Sequence, residues 1–250
     1  MKILLTNDDG IFAAGIRALA EAFCAEHEVY MVAPDSERSG AAHALTLTTP
    51  LRVRPVELPG LALVRAYATN GTPVDCVKLA VGNLGVCPDI VLSGVNHGSN
   101  LGTDVLNSGT VSAAVDAAML GLPAIAASVC AFQPKDFGPV VAAVRDMIPR
   151  ALSHRGTVLN INAPNLSAEE LCGRVFTRCG VQEYETRYEE RLDTHNNKYY
   201  WVPSKKITRV EAEEDTDEKW TREGYISISP LHFDMTDYTL LSRWKEERCD

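Results

Sequence analysis

Short, wholly apolar runs alternate with amphipathic stretches through the first two-thirds of this chain, and that alternation leaves few architectures open. Ile3-Leu4-Leu5 reads as a strand and is followed by a helical pattern over residues 11–26, with Ile16, Leu19, Ala20 and Phe23 at helical spacing. Residues 29–33 form the next apolar run, ended by Pro34. Residues 73–81 read as a helix with Pro73 at its first turn, where the missing N–H is no loss. Ile90-Val91-Leu92 is a buried strand, residues 108–121 an alanine-rich helix, 124–127 a strand, 140–152 a helix and 158–161 a strand. Strands alternating with helices predict an α/β fold, a mainly parallel sheet with helices on both faces.

The final third has a different texture. Residues 184–206 are rich in Tyr, Arg, Glu and Asn, with Tyr199, Tyr200 and Trp201 fit for one arm of a hairpin. Pro203 and the charged run 211–219 interrupt the pattern, and Asp215-Thr216-Asp217 reads as a charged turn. Gly224-Tyr225-Ile226-Ser227-Ile228-Ser229-Pro230 then returns as an alternating strand. These features predict a catalytic domain over 1–183 and an extension over 184–250. The exposed aromatics of a projecting arm call for either a second subunit or a solvated hairpin.

A chain of 250 residues can bury a full core. Its net charge of −9, from 33 acidic and 24 basic residues, argues against a broad grip on phosphate backbones. A nucleic acid polymer is therefore not the expected main partner, while a small phosphorylated substrate is still compatible. No run is long and apolar enough for a signal peptide or membrane span, so no membrane partner is expected. The seven cysteines are odd in number and scattered, without Cys-x-x-Cys spacing, which fits reduced thiols and a cytoplasmic location.

Three loops follow strands, on the side of the sheet where ligands bind in this class. The first, Asn7-Asp8-Asp9-Gly10, pairs two carboxylates, whose repulsion a hard divalent cation relieves. As a bare sequence it also reads as an ordinary turn with Asp9 as a helix cap. The second loop is residues 34–40, and the third is residues 93–104, containing Asn96, His97 and Asn100 among glycines. Ser108-Gly109-Thr110 at the start of the alanine-rich helix offers free amides and hydroxyls to a phosphate, or a simple N-cap in Ser108. Thr72 and Asp75 read as a capping box. His43, among small residues, is a minor candidate for a general base.

Taken together, Asn7-Asp8-Asp9-Gly10, Glu37-Arg38-Ser39-Gly40, Asn70-Gly71-Thr72-Pro73, the run 93–102, Ser108-Gly109-Thr110 and the late run 224–231 resemble the SurE (survival protein E) family of nucleotidases. The resemblance runs in order over nearly the whole chain. It implies a Rossmann-like domain whose C-terminal elements are exchanged between subunits of a homodimer or homotetramer. It implies a phosphomonoesterase acting on nucleoside 5′- or 3′-monophosphates, and in some members on short polyphosphate. By the same resemblance Asp8, Asp9, Ser39 and Asn96 hold one divalent cation per subunit, with Mg²⁺ or Mn²⁺ suited to an all-oxygen set. Asp8, Asp9 and Asn96 are then the catalytic residues, and Ser108, Gly109, Thr110 and Asn100 the expected substrate and phosphate contacts. Asn107 stands where an aromatic is more usual, and Ala41-Ala42 replaces a glycine-richer segment, which bears on pocket shape and substrate preference.

The expected chemistry is metal-assisted hydrolysis of a phosphate ester. The acceptor of the water's proton is open among an aspartate, His43 and metal-bound hydroxide. Three other readings compete. An aspartyl-nucleophile phosphatase usually spaces its two aspartates by one residue, whereas Asp8 and Asp9 are adjacent. A zinc deacetylase wants histidine ligands beside the aspartates. A nucleotide-binding regulatory module would bind without turnover.

Overall fold

The structure is a computed structural model, described for residues 1–184, 187–202, 207–210 and 214–247. Its centre is a nine-stranded sheet. In chain order the strands and helices are β1 (Lys2–Thr6), α1 (Ala14–Phe23), β2 (Glu28–Pro34), β3 (Val53–Val56), β4 (Val64–Thr69), α2 (Pro73–Gly82), β5 (Ile90–His97), α3 (Gly109–Met119), β6 (Ala124–Val129), α4 (Gly138–Ser153) and β7 (Val158–Ala163). They continue with β8 (Gly173–Phe176), β9 (Gln182–Tyr184), β10 (Glu189–Leu192), β11 (Lys198–Trp201), β12 (Ile207–Val210), α5 (Asp217–Arg222), β13 (Tyr225–Leu231) and α6 (Tyr238–Glu246).

The sheet order is β3-β4-β2-β1-β5-β6-β7-β13-β8. All pairings from β4 through β7 are parallel, β3 and β13 run antiparallel to their core neighbours, and β8 is parallel to β13. Among the parallel strands the order reverses between β1 and β5. In a doubly wound sheet the crevice opens beyond the carboxyl ends of the two strands at that reversal. The loop holding Asp8 and Asp9 and the end of β5 holding Asn96 therefore meet there.

Two apolar layers cover the sheet. α1 and α4 close one face over Ile3, Leu5, Ile16, Phe23, Leu92 and Ile125. α2 and α3 close the other over Leu4, Val77, Val91, Val111 and Ala117. The central strands β5, β6 and β7 are buried almost without a break, as strands covered on both faces must be. α1 lies so close to β5 that a Cβ on Gly15 would come 1.8 Å from the Val95 carbonyl oxygen.

Several boundaries differ from the sequence reading. α1 begins at Ala14 rather than residue 11, because the Asn7–Gly10 turn holds Ile11 back, its N–H donating to the Pro34 carbonyl. The strand read as Ile90-Val91-Leu92 continues through Gly94 to His97, so the third loop is shorter than its composition implies. Glycine permits this: Gly94 has φ +129°, and a Cβ there would lie 2.3 Å from the Ala127 carbonyl oxygen. The Tyr199–Trp201 arm does form a hairpin, with β10 and β11 pairing as an isolated antiparallel ribbon. The late strand is β13, inserted into the main sheet between β7 and β8.

Candidate active site

The Asp8-Asp9 turn is fastened from within. Asn7, fully buried, donates through its amide to the Gly10 carbonyl at 3.0 Å and accepts the Gly10 N–H at 3.2 Å. Gly10, at φ +103°, supplies the left-handed turn that this closure needs. The second loop is tied to the first by the Arg38 N–H, which donates to the Asp8 carbonyl at 2.7 Å.

The two carboxylates lie in different surroundings. Asp8 is 4% exposed and packs against the start of α3. The Thr110 hydroxyl donates to its Oδ1 at 2.5 Å, and a Cβ on Gly109 would come within 2.9 Å of its Cβ. Burial pushes the Asp8 carboxyl above its ordinary pKa, opposed by the Thr110 hydroxyl and by the Gly109 and Thr110 amides. Asp9 accepts the His97 N–H at 3.1 Å on Oδ2. Burial, and after it the charge of Asp8, raise its carboxyl to about 6. Protein groups alone thus leave this pair short of positive charge, which a cation could supply.

Two neutral side-chain oxygens, those of Asn96 and Ser39, line the same cleft. The Asn96 side-chain amide donates to the Gly98 carbonyl at 2.8 Å, which leaves its oxygen as the atom that could ligate a cation. Ser39 is exposed, and its hydroxyl donates to Glu37 Oε1 at 2.7 Å while keeping its lone pairs. Asp8, Asp9, Ser39 and Asn96 all line one cleft of about 850 Å³. Among the described residues no group of three or more His, Cys, Asp or Glu could hold a metal. Two carboxylates plus neutral oxygens are a donor set that could suit Mg²⁺ or Mn²⁺.

The expected phosphate contacts divide. Ser108 lines the cleft and also caps α3, its Oγ accepting the Val111 N–H at 3.1 Å. Gly109 and Thr110 are turned to Asp8, so the amino end of α3 already faces one anion, the protein's own carboxylate. Asn100 lines the cleft and is held firmly. Its N–H donates to Asn162 Oδ1 at 2.8 Å, its side chain donates to Ser128 Oγ at 2.9 Å, and its carbonyl accepts from Asn160 and Asn162.

The sequence reading had passed over several of these residues. Ser128, Asn160 and Asn162 are fully buried polar groups in β6 and β7 that fix the third loop, and the signal was Asn160-Ile161-Asn162 in an otherwise apolar run. Asp217, read as part of a charged turn, is buried and accepts the N–H groups of Gly102 at 2.8 Å and Gly180 at 2.9 Å. It clamps two turns whose backbone donors would otherwise lack partners. Beside it, Glu218 lines the cleft, accepting from Gln182 at 2.8 Å and pairing with Arg222 at 2.9 Å. His43 does not line the cleft; it lies 3.4 Å from Asp116 on α3, as does Lys78 at 3.0 Å.

The family model described as "Survival protein SurE" matches residues 3–186. Curated relatives named 5'-nucleotidase SurE include one from Syntrophobacter fumaroxidans, 43% identical and covering 98% of this chain and 99% of the relative. Another, from Carboxydothermus hydrogenoformans, is 45% identical, with 98% and 95% covered. The crystal structure of Sure protein from Aquifex aeolicus superposes with a TM-score of 0.82 at 37% identity, covering 99% of each chain.

Proposed function

The chain belongs to the Survival protein SurE family, and from that premise we propose that it is a nucleotidase that removes phosphate from nucleoside monophosphates with the help of one divalent cation. The observation that carries the metal dependence is the Asp8-Asp9 pair at the sheet's reversal point, with Asn96 and Ser39 on the same cleft. Asp8, Asp9, Ser39 and Asn96 would hold the cation. When bound, it would polarise the phosphoryl group and raise the acidity of a water.

The chain's own residues do the rest of the work. Thr110 and the α3 amides fix the Asp8 carboxylate, and the His97 N–H fixes Asp9, so neither must reorganise when substrate arrives. Ser108 and Asn100, both anchored by their neighbours, present polar groups to the substrate's phosphate. Hydrolysis of 3′-nucleotides and of short polyphosphate belongs to the same proposal, since each presents a phosphoryl group to the same carboxylate pair. So does a cytoplasmic location, supported by the described cysteines all being free. No helix among the described residues is long and apolar enough to cross a membrane.

A homo-oligomer is part of this reading. Tyr200 and Trp201 on the hairpin are each 57% exposed, and α6 buries none of its residues, leaving Tyr238 and Trp244 in solvent. A second copy of the chain is the proposed occupant of these surfaces. The test of function is a phosphate-release screen over AMP, GMP, UMP and 3′-AMP with Mg²⁺, Mn²⁺ or a chelator. Release that depends on added cation is the expected result. Full turnover in chelator would overturn the metal role, a trapped phospho-aspartate would favour the aspartyl-nucleophile reading, and binding without release a regulatory module.

A further inference from the structure

The acidic end of the cleft accounts for a phosphate and its cation, but not for its size or for what stands at its rim. About 850 Å³ is the volume of a site for a whole small molecule rather than for a phosphate alone. Most of the side chains around it are polar or acidic, with Glu37, Asp104 and Glu218 adding to Asp8 and Asp9.

One wall differs. Phe132, in the loop after β6, lines the cleft and is 77% exposed. The residues leading to it are covered: Val129 is 1% exposed, and the Cys130 N–H donates to the Ala163 carbonyl of β7 at 2.8 Å. The ring stands beside the cation loop, across from Gly98. A Cβ there would lie 3.6 Å from Cε1 of Phe132 and 3.9 Å from the Asn96 amide nitrogen. The aromatic surface is thus one residue's width from the proposed ligand Asn96. Val202, 68% exposed on the hairpin, adds a second apolar group to the same cleft.

We propose that Phe132 is the base-recognising residue of this cleft, its ring stacking on the nucleobase while the phosphate lies at Asp8, Asp9 and Asn96. Stacking on an aromatic face needs no hydrogen-bond code, so every base is accepted. Purines, with the larger π-surface, are preferred over pyrimidines. This assignment rests on the nucleotidase reading and adds to it the part of the substrate that sets affinity.

The test compares wild type, Phe132→Ala, Phe132→Leu and Phe132→Trp on AMP, UMP and ribose 5-phosphate, which carries the same phosphate without a base. The ratio of kcat/KM for AMP to that for ribose 5-phosphate is expected to fall about tenfold in Phe132→Ala, mainly through KM, and to recover in Phe132→Trp. Phe132→Leu keeps apolar bulk but no π-face, and is expected to behave like the alanine variant. The preference for AMP over UMP should shrink in both. An unchanged ratio in Phe132→Ala, in an enzyme that hydrolyses AMP, would overturn this inference alone. Equal losses on AMP and ribose 5-phosphate would also overturn it, since they mark a structural role. Failure of the wild type on every phosphate monoester would overturn the nucleotidase reading, and this one with it.

Discussion

Asp8 takes a hydroxyl from Thr110 and the amino end of α3, whereas its neighbour Asp9 has a single backbone donor in His97 and the charge of Asp8 beside it. Asp8→Asn or Asp9→Asn should lower kcat for AMP by at least about a hundredfold, since even groups that merely support a metal ligand are worth 10–100-fold. Circular dichroism of the same variants should match wild type. Loss of activity together with loss of fold would not count in favour. Asp9 also predicts a pH dependence of stability in the cation-free protein. Its folded carboxyl is raised to about 6, so between roughly pH 4 and 6 the folded chain holds more protons than the unfolded one. Stability contributed by this group is therefore present at the acid end and lost as pH rises through that window. In chelator, Asp9→Asn should be more stable than wild type at pH 7 and lose that advantage near pH 4. Added Mg²⁺ or Mn²⁺ should narrow the gap at pH 7, and thermal unfolding curves read both effects.

Helix starts carry much of what was legible from sequence, because a cap spans only three residues. Thr72 and Asp75 form the capping box that their spacing implied: Thr72 Oγ1 accepts the Asp75 N–H at 3.1 Å and Asp75 accepts the Thr72 N–H at 2.9 Å. Thr72→Ala should destabilise the protein by about 1 kcal/mol in denaturant titration while sparing catalysis. Gly109→Ala should cost both stability and catalysis. Its new methyl meets Asp8, so activity should fall by an order of magnitude or more for a stability loss of about 1–3 kcal/mol. A Gly109→Ala enzyme as active as wild type would mean that Asp8 needs no fixed position. The alternation of strands and helices was equally legible, since period and apolarity are local. What escaped was set by distant partners. Asp217 is fixed by amides of Gly102 and Gly180, and Asn160 and Asn162 by the Asn100 backbone, contacts that no local spacing records. The far half of β5 was hidden for the same reason, its Ser-Gly-Val-Asn-His composition reading as loop until β6 is laid beside it.

At the scale of the molecule, the surfaces left over after folding gather in the last third of the chain. Light scattering should give a mass of two or more times 27.3 kDa. Trp244→Asp should shift it toward the single chain, and a monomeric wild type at micromolar concentration would remove the second copy as the occupant of α6. The sheet itself carries another consequence. β7 is buried along its whole length, yet its outer edge pairs with β13, from Ser227 opposite Asn162 to Leu231 opposite Val158. Everything between those two strands must be made before the edge is closed. On a ribosome adding about 5–20 residues per second, β7 waits several seconds with a row of apolar side chains and unpaired amides open to any neighbouring chain. The protein is therefore most exposed to misassociation while still being synthesised, and nascent chains stalled before residue 225 should recruit chaperones that the released protein does not.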